Sequence, residues 1–211
     1  MQPISTVIGL CSLALLSAIV VAGCAVPSLR TAWTWTDPGI TPKPYNNLIV
    51  FGIAPKRNVH HAYEDNFVLA LRKQGGKANV GHGLLPEGGL GDAMAVKRAI
   101  AMSGADGVIV THLLGAQTDR VYVPPMSYRS PELYGRLYPY YQRVYGYVTQ
   151  PDYYAQFPLL IMETNLYDAA SQRLVWSTRS QTMDPASENT TIKDLIESAT
   201  RGLAEGGYLP Q

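Results

Sequence analysis

The chain has 211 residues but only two cysteines, Cys11 and Cys24, so it has no disulfide framework to lean on. It also lacks an excess of either charge. Seventeen basic residues stand against sixteen acidic ones, which removes the single-sign field that draws proteins to nucleic acid, and nucleic-acid binding is excluded on that ground. The apolar run over residues 7–22 covers about 16 residues and falls short of the ~20 that span a bilayer as a helix. Catalytic signatures are absent too: there is no Gly-x-Ser-x-Gly, no His-Glu-x-x-His, and no P-loop lysine after Gly88-Gly-Leu-Gly-Asp92. The four histidines, His60, His61, His82 and His112, show no metal-ligand spacing. No catalytic residue, cofactor or metal is therefore expected, and the chain is read as a non-enzyme.

What is present begins at Val21-Ala-Gly-Cys24, which closes the apolar run. These four residues resemble the lipobox of bacterial lipoproteins, in which a peptidase cleaves before the cysteine and acyl chains are attached to it. The resemblance implies a lipoprotein signal peptide over residues 1–23 and lipidation of Cys24. Met1 to Thr6 carry no Lys or Arg, a departure from the usual basic start, and a retained, uncleaved anchor is the rival reading. Ala25 stands where an Asp would retain an enterobacterial lipoprotein at the inner membrane, so the resemblance implies the outer membrane. Acyl chains contribute roughly 0.8 kcal/mol per buried methylene, which makes such anchoring durable when several chains act together.

Residues 24–46 contain Pro27, Pro38, Pro42 and Pro44 and read as a Pro/Thr-rich tether. Within it, Thr31-Ala-Trp-Thr-Trp-Thr36 alternates strictly, which places Trp33 and Trp35 on one face of a short strand packed on the domain. Residues 47–211 then read as one α/β domain. The run 48–53 has the unbroken apolar character of a central strand, and Tyr63, Phe67 and Leu71 mark an amphipathic helix stopped by Gly75-Gly76. A weaker strand lies near 77–85, a helix capped by Asp92 runs to Gly104, and a buried strand spans 107–114. Two alternating runs, 159–168 and 173–183, form a hairpin in which Leu174, Trp176 and Thr178 share a face. Ile192, Leu195, Ile196, Ala199 and Leu203 mark a last helix from a Thr191/Asp194 capping pair. The expected architecture is a single α/β sandwich, βαβαβ-loop-ββα, with a mixed sheet and helices packed on it.

Residues 120–154 interrupt this order with ten of the fourteen tyrosines. The segment reads as a loop too polar to supply a core element, and Tyr134, Tyr138, Tyr140, Tyr141, Tyr145 and Tyr147 are the candidate partner-binding residues, since tyrosine anchors interfaces at low entropic cost. The remaining polar residues receive structural readings. Glu64-Asp65 are taken as helix N-terminal acids, Glu163 as a solvent-facing strand residue, His112 as a strand histidine held by a hydrogen bond, and His60 and His61 as pointing to different helix faces.

Five segments together, Thr34-Trp-Thr-Asp-Pro38, Glu64-Asp65, Gly104-Ala-Asp106, Glu163-Thr-Asn-Leu-Tyr167 and Leu174-Val-Trp-Ser177, resemble a family of small, uncharacterised bacterial outer-membrane lipoproteins. The element order is similar to domains of the Tol translocation protein, the curli secretion lipoprotein and the lipoprotein activators of penicillin-binding proteins. The resemblance implies a lipid-anchored interaction module at the periplasmic face of the outer membrane, joined to the membrane through Cys24 and meeting an envelope protein. Binding of peptidoglycan is the alternative, and a small metal-dependent envelope enzyme is the second.

Overall fold

The computed structural model describes residues 29–54, 57–116, 135–148, 159–183 and 188–210. Cys24 and Tyr134 lie outside them, as do the rest of residues 1–28, 117–134 and 149–158. The described residues form a mixed six-stranded sheet with helices on both faces, the α/β architecture expected from the sequence. Its strands are β1 (Leu29–Thr36), β2 (Asn47–Ile53), β3 (Lys77–Val80), β4 (Gly107–Ala116), β5 (Leu159–Asp168) and β6 (Leu174–Met183), in spatial order β1-β6-β5-β4-β2-β3. The helices are α1 (Arg57–Lys73), α2 (Ala93–Ser103), α3 (Leu137–Val148) and α4 (Glu188–Glu205).

Alternation along the strands sorts the core into two layers. Leu48 and Val50 of β2, Ile109 of β4 and Leu166 of β5 face α1 and α4, where they meet Phe67, Leu71, Leu195 and Leu203. Ile49 and Phe51, Val108 and Val110, and Tyr167 face the other way and meet Val96 and Ile100 of α2 with Tyr141 and Val144 of α3. Strands β3 and β4 both pair parallel to β2, on opposite sides of it. The crossovers from β2 to β3 and from β3 to β4 therefore run in opposite directions, and right-handed crossovers put α1 and α2 on opposite faces. The chain leaving β2 turns to one face and the chain leaving β3 turns to the other, so a crevice opens beyond the carboxyl ends of these two strands.

Several local expectations hold. Asp92 caps α2 by accepting from the Met94 N–H at 2.8 Å, and Gly104 ends it at φ 62°. Gly75 follows α1 at φ 88°, a left-handed conformation that favours glycine.

Four readings need correction. Residues 24–46 are not all tether: the short strand expected within them is β1, which starts at Leu29 and joins the sheet by pairing antiparallel with β6. Trp33 and Trp35 do share a face: Trp35 packs on the domain, while Trp33, 42% exposed, lies under the Arg179 guanidinium. In β6 a register shift makes room for Val175, so Leu174 faces α3 while Trp176 joins the α1/α4 core. Helix α4 starts at Glu188, so Thr191 and Asp194 sit inside its first two turns rather than at a cap.

The largest correction concerns the tyrosine segment. Residues 137–148 are helix α3, and Leu137, Tyr140, Tyr141 and Val144 recur at i, i+3, i+4 and i+7 along its buried stripe. Pro139 is tolerated because it falls in the first turn, where its missing N–H would have no helical partner.

Candidate functional site: a histidine-lined crevice

The crevice at the ends of β2 and β3 holds a cavity of about 390 Å3. Arg57, His60 and His61 enter it from the first turns of α1, His82 and the turn at Glu87–Leu90 from the connection after β3, and Tyr145 from α3. In open α/β sheets, ligands settle where successive strand-to-helix loops diverge, and this cavity lies at such a point.

Behind the lining imidazoles of His60 and His82 lies Glu64, which is fully buried. Helical spacing brings His60, four residues earlier, over the same face, and His60 Nε2 lies 2.6 Å from Glu64 Oε1. His82 arrives by a different route. Strand β3 ends at Val80, and at the next residue, Gly81, a Cβ would fall 2.3 Å from the Phe51 ring, so the chain passes close against β2 only because the side chain is absent. That approach lets the His82 N–H donate to Glu64 Oε2 at 2.7 Å, with His82 Nδ1 2.8 Å from the same oxygen. The Gly52 N–H donates to Oε1 at 2.9 Å. Two backbone amides thus fix the carboxylate, and two imidazoles converge on it.

Beside these imidazoles, His61 stacks on His82 with ring centroids 4.2 Å apart and an interplanar angle of 20°. Asp65 Oδ1 lies 3.6 Å from His82 Nε2. Burial on its own would raise the Glu64 carboxyl, but the hydrogen bonds from His60 and His82 outweigh it and hold the group below the ordinary carboxylate range. The His82 imidazole is raised by its bond to Glu64, against the opposing effect of burial. His61 is lowered by desolvation and by the two neighbouring histidines. The Tyr141 hydroxyl is buried with no hydrogen-bond partner among the described residues, and burial together with the Glu64 charge pushes its pKa well above the ordinary value.

A second polar cluster lies between the sheet and α3. Ile53, His112, Glu163, Arg179 and Trp33 are successive partners across five strands, so their side chains form one row. Glu163 is 1% exposed; its Oε1 accepts from the Tyr140 O–H at 2.6 Å and from Asn165 Nδ2 at 2.9 Å, and its Oε2 accepts from Arg179 Nε at 3.1 Å. Tyr140 also lies 3.1 Å from His112 Nδ1. Burial drives the His112 pKa down to about 4, which leaves it neutral at pH 7. Its middle members His112 and Glu163 are buried, and their hydrogen bonds link β4, β5 and β6 to α3.

The six candidate tyrosines are divided accordingly. Tyr140 and Tyr141 are in the core, Tyr138 is half-buried against it, and Tyr145 lines the crevice. Tyr147 belongs to α3 and Tyr134 lies outside the described residues. The buried pair cannot anchor a partner or stack on a sugar, because their rings are already in contact with Tyr167 and Phe51. Glu163 is not solvent-facing, and Glu64 sits in the third turn of α1 rather than at its start. His112 has the hydrogen bond expected of it, supplied by Tyr140. Sequence spacing alone missed the convergence of His60, His61 and His82, since it depends on β3 pairing beside β2.

No protein-family model matches the chain, and no curated protein matches its sequence. Among solved structures it is similar to the PelC dodecamer from Paraburkholderia phytofirmans. One crystal form, of a PelC variant, superposes with a TM-score of 0.46 at 12% identity and covers 87% of this chain and 98% of that one. A second crystal form gives 0.44 at the same identity and coverage. Among the described residues no helix is long and apolar enough to cross a membrane.

Proposed function

We propose that the chain is an envelope lipoprotein whose α/β domain is a non-catalytic interaction module, held at the periplasmic face of the outer membrane by acyl chains on Cys24. The observation that carries this reading is the position of β1. Leu29 opens the sheet five Cα steps after Cys24, a span of at most about 18 Å when fully extended. Acylation of Cys24 would hold that edge of the sheet against the bilayer, with no long tether between them. Among the described residues the crevice is a surface shaped to receive something, because it combines depth with several polar side chains. Its rim, from Arg57 to Glu87 and Tyr145, is the proposed contact for an envelope protein.

Intact-mass spectrometry of protein extracted from membranes tests the anchor: an acylated N-terminal Cys24 is expected, and an unmodified Cys24 or a retained Met1 overturns it. A photo-crosslinking residue at position 145 tests the crevice. One specific envelope adduct is expected, and none above the level found for the same probe at exposed Met102 counts against the reading.

A further inference from the structure

We infer that His60, Glu64 and His82 form a binding site for one zinc ion at the floor of the crevice. One donor atom from each residue lies within 4.8 Å of the others, and the three come from a helix and a separate loop brought together by the fold. Two imidazoles and one carboxylate suit zinc and its late first-row neighbours. Calcium takes six to eight oxygen ligands and magnesium an octahedral oxygen shell, and this set offers neither.

The donor atoms are close enough together to surround one ion. Tetrahedral zinc with ligand bonds near 2.0–2.1 Å separates neighbouring donors by about 3.3 Å. The carboxylate presents a different oxygen to each imidazole, Oε1 to His60 Nε2 at 2.6 Å and Oε2 to His82 Nδ1 at 2.8 Å, and these contacts would open by roughly 0.5–0.7 Å as the metal replaces the shared protons. The amide donors from Gly52 and His82 stay on the carboxylate throughout and keep it aimed. Asp65 Oδ1 lies on the Nε2 side of His82, where a carboxylate orients an imidazole whose other nitrogen binds metal.

Three protein ligands leave a fourth position open, as in zinc sites that exchange their outer ligand. Here His60 and His82 line the cavity, so that position belongs to a water or to a donor group brought by the partner. The inference rests on the crevice as the recognition site only for its setting, since zinc uptake is measured with no partner present.

The test is titration of the metal-free full-length protein in detergent with zinc alone, followed by metal analysis and thermal unfolding. The result expected is one zinc per chain and a melting temperature that rises with zinc, because the ion binds the folded state. His82→Asn should weaken zinc binding by more than about tenfold and abolish the thermal shift, while Asp92→Ala, at the N-terminal cap of α2, leaves zinc affinity within about twofold of the parent. Glu64→Gln is the direct change but risks misfolding at a fully buried position; His82, whose side chain is 20% exposed, keeps the test sound, with circular dichroism confirming the fold. Absence of zinc binding, or binding unchanged in His82→Asn, overturns the site. Either result is distinguishable from failure of the interaction reading, which is judged by the adduct at position 145.

Discussion

Two buried glutamates, Glu64 and Glu163, sit in the same sheet-and-helix layer structure yet serve different ends. Glu163 belongs to a row that crosses the middle of the sheet, and its oxygens are held by Tyr140, Asn165 and Arg179 under the cover of α3. Glu64 stands at the edge of the parallel strands, where the chain leaving β2 and the chain leaving β3 diverge, and its imidazole partners line an open cavity. A charge sealed among fixed partners can only stabilise one conformation. A charge with exchangeable partners beside a cavity can bind. Position relative to the strand ends, more than residue type, separates the two roles.

Breaking the sealed cluster should have the largest effect on stability. Arg179→Met leaves the Glu163 carboxylate buried beside two neutral donors, and a loss of about 3–5 kcal/mol is expected from urea unfolding. Replacing both partners, with Glu163→Leu added, should recover most of that loss, because no unpaired charge remains. If the single variant proves neutral, the cluster is not sealed and the contrast between the two glutamates collapses.

The next largest effect is on acid stability. His112 is neutral in the fold down to about pH 4, whereas the unfolded chain takes up a proton near 6.5. Its contribution is therefore intact above pH 6.5 and is lost as pH falls toward 4, by up to about 3 kcal/mol. Comparing urea midpoints at about pH 7 and pH 4.5 for the parent and His112→Gln isolates this group. The parent should lose more stability over that interval, and parallel losses would remove His112 from the account.

Away from both clusters, Asp92→Ala removes the cap on α2 and should cost about 1 kcal/mol in the same assay, with zinc binding unchanged. Smallest of all, His61→Asn at the rim of the crevice should alter stability by no more than about 0.5 kcal/mol, since its ring stacks on His82 at the edge of the cavity. A large loss there would mean that the crevice is as structural as the sealed row.

Much of the fold was legible in the chain. Continuous apolar runs such as 48–53 marked strands covered on both faces, and the spacing of Tyr63, Phe67 and Leu71 marked the buried stripe of α1. Asp92 and Gly104 bracketed α2 because caps are local chemistry. Helix α3 is hidden although Leu137, Tyr140, Tyr141 and Val144 follow the helical period, because a tyrosine suits an interface as well as a core, where it packs as a large apolar body with a polar tip. The crevice was illegible for a different reason. His60 and Glu64 are a readable i, i+4 pair, but His82 joins them only through the pairing of β3 with β2 and the close passage at Gly81. The sealed row is equally non-local: His112, Glu163 and Arg179 become neighbours through the registers of β4, β5 and β6.

The most direct test of the contrast is an anomalous difference map at the zinc absorption edge from crystals of the zinc-loaded full-length protein. One peak is predicted, bonded to His60 Nε2, His82 Nδ1 and a Glu64 oxygen at about 2.0–2.2 Å, with none at Glu163. A map without that peak, or with zinc bound at His112 and Glu163 instead, would contradict the account.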